Sequence, residues 1–138
     1  MKIFLIGTFS IICVLLTSGC KSSKSMKMAK EAIKIGNGGG FAGIEHTITI
    51  HEDGMIKSSL GEYKKLKSGV VTQILSNVQV LGLDKLEYNS PGNIYNYVEF
   101  VNGSEMKRIA WDPQNKNVPS SLTLFYNNIN QIINKSKK

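Results

Sequence analysis

Two histidines, His46 and His51, are the side chains of this sequence best suited to acid–base chemistry or to metal binding. They are five residues apart in a segment of alternating apolar and polar residues, and an odd separation places two side chains on opposite faces of a strand. One metal ion therefore cannot take both as ligands from the face of a regular strand. His46 shares the face of the isoleucines, which predicts a core or edge position, whereas His51 is predicted to be solvated.

Other nucleophiles and acids in the sequence form no catalytic pattern. The serines lack the context of a nucleophile elbow, and the carboxylates form no spaced pair of the kind that glycosidases use. The sequence therefore predicts a protein that is not an enzyme and that binds no metal and no cofactor.

The two cysteines lie near the start of the chain, at positions 13 and 20. Met1-Lys2 supplies positive charge, and the apolar run that ends at Leu16 is shorter than the ~20 residues that span a bilayer, as in a secretory signal. The segment Leu16-Thr17-Ser18-Gly19-Cys20 resembles a bacterial lipobox, although Thr17 stands where the commonest lipobox has leucine. We therefore expect a lipoprotein signal peptide over residues 1–19 and a lipid on Cys20. An ordinary signal peptide with an incidental cysteine is the alternative.

The predicted processing also decides where the mature chain would lie. Removal of Cys13 and lipidation of Cys20 would leave the folded part without a thiol, which excludes cysteine nucleophiles there. Residues 20–30 contain four lysines and no acid, and they are predicted to be a flexible tether. Lys21 follows the lipidated cysteine, and by resemblance to lipoproteins of diderm bacteria this favours the outer membrane, facing the periplasm. The predicted membrane contact is the N-terminal lipid.

The net charge of +7 and the isoelectric point near 9.4 are typical of nucleic-acid binding only if the basic side chains cluster on the folded domain. Between Ile35 and Asn134 there are eight basic and nine acidic side chains, so the positive excess lies before and after this segment. Binding to single strands requires a basic groove beside stacking aromatic rings. The sequence therefore predicts no nucleic-acid partner.

Hydrophobic periodicity predicts one α+β domain over residues 31–138. A weakly alternating strand over Glu31–Ile35 is followed by two hairpins, each leading into an amphipathic helix. The first helix is predicted over Val70–Leu81, with Ser68 as its cap and Gly82 as its stop. The other predicted elements are strands over 44–51, 55–60, 94–101 and 104–111, the last two joined at Asn102-Gly103, and a closing helix that begins at Pro119 and ends in a frayed basic tail. This order favours an antiparallel sheet built from two hairpins, with both helices packed on one face.

Two loops are the candidate partner-binding sites. The first contains Gly38, Gly39, Gly40, Phe41, Ala42 and Gly43. It is not a phosphate cradle, because no Gly-Lys-Ser/Thr follows and because a strand comes next. Its glycines indicate either a loop that a partner approaches closely or a tight turn with Phe41 in the core. The second loop contains Tyr88, Pro91, Gly92 and Asn93, with Tyr88 as an aromatic anchor, and the loop over Asp112–Val118 is a third candidate.

The segment from Ile35 to Asn134 is similar to emfourin. The most specific part of the likeness is Gly39-Gly40-Phe41-Ala42-Gly43, and the order of the predicted elements agrees, with Pro91-Gly92-Asn93 before the second hairpin. Emfourin-like proteins are small proteinaceous inhibitors of thermolysin-like metalloproteases, so the resemblance implies a non-catalytic inhibitory domain. The lipid anchor resembles the setting of the potempins, which are small lipoprotein protease inhibitors, whereas emfourin itself has no such anchor.

We therefore expect a membrane-anchored lipoprotein that inhibits a protease, with a rigid sheet presenting loops to the active-site cleft. The alternative is a structural or assembly lipoprotein of the cell envelope that binds another envelope protein.

Overall fold

The computed structural model describes residues 31–137, which form a five-stranded antiparallel sheet and two α-helices. The signal peptide, Cys20 and the tether lie outside these residues. The elements in chain order are β1 (Glu31–Gly39), β2 (His46–His51), β3 (Ile56–Ser58), α1 (Ser68–Val80), β4 (Ile94–Asn102), β5 (Glu105–Trp111) and α2 (Ser120–Ser136). The predicted α+β fold with two hairpins is confirmed.

Strand β1 is the centre of the sheet, whose order is β3-β2-β1-β4-β5. The hairpin β2–β3 therefore lies on one side of β1, and the hairpin β4–β5 lies on the other. The predicted end of β1 at Gly36-Asn37, after Ile35, is wrong, because the strand continues to Gly39 and pairs with β4 along its whole length. Gly38 and Gly39 thus belong to a strand and not to a loop, with Gly38 paired to Tyr95 and Gly39 paired to Ile94.

Both helices cover the same face of the sheet. Alternate residues of the central strands, such as Ile33, Ile35 and Val98, are buried there against the apolar stripe of each helix. The helical side chains in this core are spaced three or four residues apart: Ile74 and Val78 in α1, and Leu122, Phe125, Ile129 and Ile133 in α2. None of the helices within residues 31–137 is long and apolar enough to cross a membrane.

The predicted start of α1 is wrong, and its predicted end is confirmed. Ser68 is the first helical residue and not the cap, because Lys67 occupies the cap position and no side chain bonds the free amides. Gly82 does stop the helix: its N–H donates to the Gln79 carbonyl at 3.0 Å, and the Leu83 N–H donates to the Val78 carbonyl at 2.9 Å. This pair of bonds is the Schellman arrangement, and it places Leu83 in the core.

Helix α2 begins one residue later and ends later than predicted. Pro119 is the residue before the helix, with an extended ψ of 128°. The basic end is not frayed through Ser136, because the Lys64 N–H donates to the Ser136 carbonyl at 2.7 Å. Lys137 also forms a bridge with Tyr63. The segment between β3 and α1 therefore holds the end of α2 in place.

Candidate functional site

Three loops meet at the end of the sheet opposite Glu31. The Gly40 N–H donates to the Asn93 carbonyl at 2.8 Å, which joins the glycine-rich loop to the loop before β4. The Asp112 N–H donates to the Ser90 carbonyl at 2.9 Å, which joins that second loop to the loop after β5. All three candidate loops predicted from the sequence therefore lie together, and we call this surface the loop end.

The most exposed aromatic side chain at the loop end is Phe41. It lies in a tight turn closed by the Gly43 N–H, which donates to the Gly40 carbonyl at 3.2 Å. Gly40 and Gly43 have φ values of +73° and +60°, a region that other residues rarely adopt. The Phe41 side chain is fully exposed. The expectation that a tight turn would bury Phe41 in the core is wrong, because the turn projects the ring away from the sheet.

Two isoleucines add to the apolar surface at this end. Ile44 and Ile94 are each 59% exposed, and Ile94 pairs with Gly39 next to the turn. Ala42 is exposed as well. Single exposed apolar residues are ordinary, but a group of them at one end of a small domain is typical of an interaction surface.

The strands below the turn are packed by two glycine–tyrosine pairs on the face of the sheet that the helices leave open. Gly36 lies across from Tyr97, and Gly38 lies across from Tyr95. A Cβ atom on Gly38 would be 2.8 Å from the Tyr95 hydroxyl oxygen, so the ring occupies the space that a side chain would need. Aromatic rings that cover glycines across a sheet in this way stabilise and register the strands. The base of the turn is therefore rigid.

The far side of the turn is held by an ion pair. The Arg108 Nη2 donates to the Glu45 Oε2 at 2.5 Å, and the Tyr95 hydroxyl donates to the same oxygen at 3.0 Å. The hydrogen bond from Arg108 lowers the pKa of Glu45. The guanidinium also stacks on Tyr97, with its central carbon 3.8 Å from the ring centroid. Glu45 is thus ionised and fixed to β5 at neutral pH.

The ion pair continues across the open face of the sheet. Arg108 is 3.6 Å from the Glu99 Oε2, and the Lys34 Nζ donates to the Glu99 Oε1 at 2.5 Å. Glu99 is buried and Tyr97 is buried beside it, with the Tyr97 hydroxyl bonded to Thr47. Burial raises the pKa of Tyr97 to about 12. Because each buried charge has an opposite partner, the face remains polar without an unpaired ion at its centre.

Tyr88 is not the exposed anchor that the sequence predicted. It is half-buried against the core, and its hydroxyl accepts a hydrogen bond from the Asn115 amide at 3.1 Å. The rest of this loop is exposed at Pro91 and Asn93, whereas Gly92 is partly covered by Asp112. The alternation of Leu86, Glu87 and Tyr88 could have indicated that Tyr88 packs inward. Phe41 stands between Gly40 and Ala42, and no pattern of this kind predicts which way its side chain lies.

The structure decides between the two positions predicted for His46 and corrects the one predicted for His51. His46 is exposed at the start of β2, at the edge and not in the core, because its strand extends beyond the end of β3 at that point. His51 is half-buried and not solvated, and its Nε2 has no hydrogen-bond partner among residues 31–137. Within the same residues no three His, Cys, Asp or Glu side chains group to hold a metal ion.

The sequence did not reveal that Glu45 and Arg108 belong to the site, because they are 63 residues apart and carry no motif. Glycine at the alternate positions 36 and 38 of a strand was the available signal for aromatic cover from a neighbouring strand. The loop end thus consists of an exposed phenylalanine on a turn that is bonded to β4 and β5. No protein-family model matches the chain, and no curated protein matches it.

Proposed function

We propose that this chain is a lipid-anchored proteinaceous inhibitor of a thermolysin-like metalloprotease and that the loop end occupies the substrate cleft of the protease. The observation that carries the proposal is the full exposure of Phe41 at the tip of a turn held on both sides. The resemblance of residues 39–43 to emfourin names the class of protease.

The energetics of the turn favour this use. Burial of a phenylalanine side chain in a partner's pocket contributes about 1.5–3 kcal/mol. A loop that is already fixed loses little further entropy on binding, so more of this energy appears as affinity. Ile44 and Ile94 add exposed apolar surface at the same end of the sheet.

The direction of β1 fits an anchored inhibitor. The strand has nine residues, so Glu31 and Gly39 are separated by about 27 Å along the sheet. The predicted lipid on Cys20 precedes Glu31 through a tether that reaches at most about 40 Å when extended. A membrane anchor on that side leaves the loop end, at the other end of the sheet, accessible to a protease in the periplasm.

Inhibition of this kind requires no catalytic side chain in the inhibitor. A cleft filled by a rigid loop excludes the substrate, and the affinity comes from complementarity of shape and from apolar burial. The proposal therefore depends on the loop end alone and not on either histidine.

A second candidate is a structural or assembly lipoprotein that binds another envelope protein. The same exposed group of Phe41, Ile44 and Ile94 favours it, because an apolar surface at the far end from an anchor suits any protein partner. The two candidates differ in what the partner is, and a protease assay distinguishes them.

The test is a titration of a thermolysin-like protease with the full-length lipoprotein in detergent micelles. Because the whole described core lies within residues 31–137, a chain that begins at Lys21 is assayed in parallel. We expect both to reduce peptide hydrolysis to zero at one molar equivalent. Absence of inhibition of metalloproteases, together with crosslinking in cells to an envelope protein that is not a protease, would favour the second candidate.

A further inference from the structure

The geometry points to the Glu45–Arg108 ion pair as the device that positions Phe41 for its partner. This inference rests on the proposed function, and it assigns a positioning role to two residues on the open face of the sheet. Neither side chain lies at the tip of the turn, so their effect on binding passes through the loop.

The two ends of the loop are held by different kinds of bond. On the β1 side, the Gly40 N–H bonds to the backbone of Asn93, and the pairing of β1 with β4 runs up to this point. On the β2 side, regular pairing with β1 begins only at His46. Between the turn and His46, Glu45 supplies the connection to the sheet through its side chain.

The carboxylate of Glu45 is bound from two strands. Arg108 on β5 donates through Nη2 at 2.5 Å and through Nη1 at 3.4 Å, and Tyr95 on β4 donates through its hydroxyl at 3.0 Å. A carboxylate that accepts a paired guanidinium bond is fixed in direction as well as in distance. The backbone of residues 43–45 is therefore held toward β5.

The guanidinium is itself fixed. Its carbon lies over the Tyr97 ring at 3.8 Å, and Glu99, 3.6 Å away, is held by Lys34. Arg108 consequently has little freedom to follow Glu45 if the loop moves. The sheet therefore sets the position of the loop through Arg108. An arginine that moved freely in solvent could not hold Glu45 in one position.

Loss of the ion pair should loosen the loop and leave the fold intact. Both side chains are about one-third exposed, so the contribution of this one ion pair to overall stability is small. In the free protein, Glu45→Gln should accelerate amide hydrogen exchange at Gly43, whose N–H bonds to the Gly40 carbonyl, by up to about fivefold, the range expected for an ion pair of this exposure. The association rate with the protease should also fall, by at most this factor, because it follows the fraction of molecules that present Phe41 correctly.

The experiment compares three variants of the full-length lipoprotein in micelles: Glu45→Gln, Arg108→Gln and the double variant. Glu105→Gln removes an exposed carboxylate at the opposite end of β5 and serves as the matched control. Hydrogen exchange is measured without protease, and the inhibition rate is measured with a thermolysin-like protease. Far-ultraviolet circular dichroism checks that each variant is folded.

Faster exchange and slower association in both single variants, with no further change in the double variant, support the inference. Unchanged exchange in Glu45→Gln overturns it, and so does faster exchange with an unaltered association rate. If the unmodified protein inhibits no protease, the proposed function fails, and the exchange data still decide whether the ion pair holds the loop.

Discussion

Gly38 of β1 lies directly across from Tyr95 of β4, and the tyrosine ring fills the space above the glycine. The same tyrosine donates its hydroxyl hydrogen bond to Glu45 at the end of the exposed turn. One side chain therefore packs the strand that enters the turn and binds the segment that leaves it. This relationship explains how a glycine-rich segment presents a phenylalanine to solvent and keeps its shape.

Gly36 allows the close approach of β2 and Tyr97, so a larger residue there should destabilise the fold. A Cβ atom would collide with the His46 carbonyl and would lie 2.8 Å from the Tyr97 ring. We expect Gly36→Ala to lower the free energy of unfolding by about 1–3 kcal/mol in urea denaturation. Gly69→Ala in α1 is the control, because a Cβ atom there meets nothing within 4 Å, and it should stabilise by about 0.4–1 kcal/mol. Equal effects of the two changes would contradict the packing described.

Two leucines of α2, one buried and one exposed, allow the contribution of core packing to stability to be measured on one helix. Leu122 is fully buried, whereas Leu124 is 63% exposed on the same helix. Leu122→Ala should lower the free energy of unfolding by about 2–5 kcal/mol because it leaves a cavity. Leu124→Ala should change it by no more than about 0.5 kcal/mol. Chemical denaturation of the two variants measures both values, and a large loss from Leu124→Ala would show that this helix face is packed.

Alkaline pH should destabilise the protein through Tyr97. Burial raises the pKa of Tyr97 from 10.0 to about 12, so the neutral hydroxyl is favoured in the folded state. This contribution is complete below pH 10, where the unfolded state is also neutral, and it is lost as the pH rises from 10 toward 12. Tyr97→Phe should therefore reduce the dependence of the unfolding midpoint on pH in this range. Tyr88→Phe is the control, and an identical pH dependence in all three proteins would contradict the argument.

Cys20 should decide whether the protein is attached to a membrane. Cys20→Ser removes the thiol that the predicted lipidation requires, so the protein should leave the membrane fraction of the cells that express it. Cys13→Ser changes the other cysteine and should leave the attachment intact. Fractionation followed by mass spectrometry of the N-terminal peptide measures both. Membrane attachment of Cys20→Ser would contradict the prediction of a lipobox.

The sequence predicted the fold where the pattern was local. Spacings of three and four residues predicted α2, and Leu122, Phe125, Ile129 and Ile133 are all buried. Asn102-Gly103 marked the second hairpin, although the two-residue turn consists of Gly103 and Ser104, because Asn102 still pairs with Glu105. Periodicity did not predict the length of β1, because Gly36 and Gly38 carry no side chain and their packing comes from tyrosines about sixty residues away.

The candidate site was predictable only in part. The glycine-rich segment was identified from its composition, but composition could not decide between a buried and an exposed Phe41. That outcome depends on the turn over residues 40–43, which projects the ring away from the sheet, and the turn is followed by the ion pair of Glu45 with Arg108, which joins two distant parts of the chain. A single sequence does not reveal such a contact, because a glutamate and an arginine that form an ion pair cannot be distinguished there from those that do not.

Phe41 is the proposed anchor of the inhibitory surface, and Phe41→Ala tests this role most directly. The side chain is fully exposed, so its removal should leave the urea midpoint unchanged, while the inhibition constant for a thermolysin-like protease should rise by about 30-fold or more, as expected for an interface hot spot. Met106→Ala, which removes a side chain 64% exposed on β5 near the other end of the sheet, is the control and should inhibit normally. Full inhibition by Phe41→Ala would contradict the account.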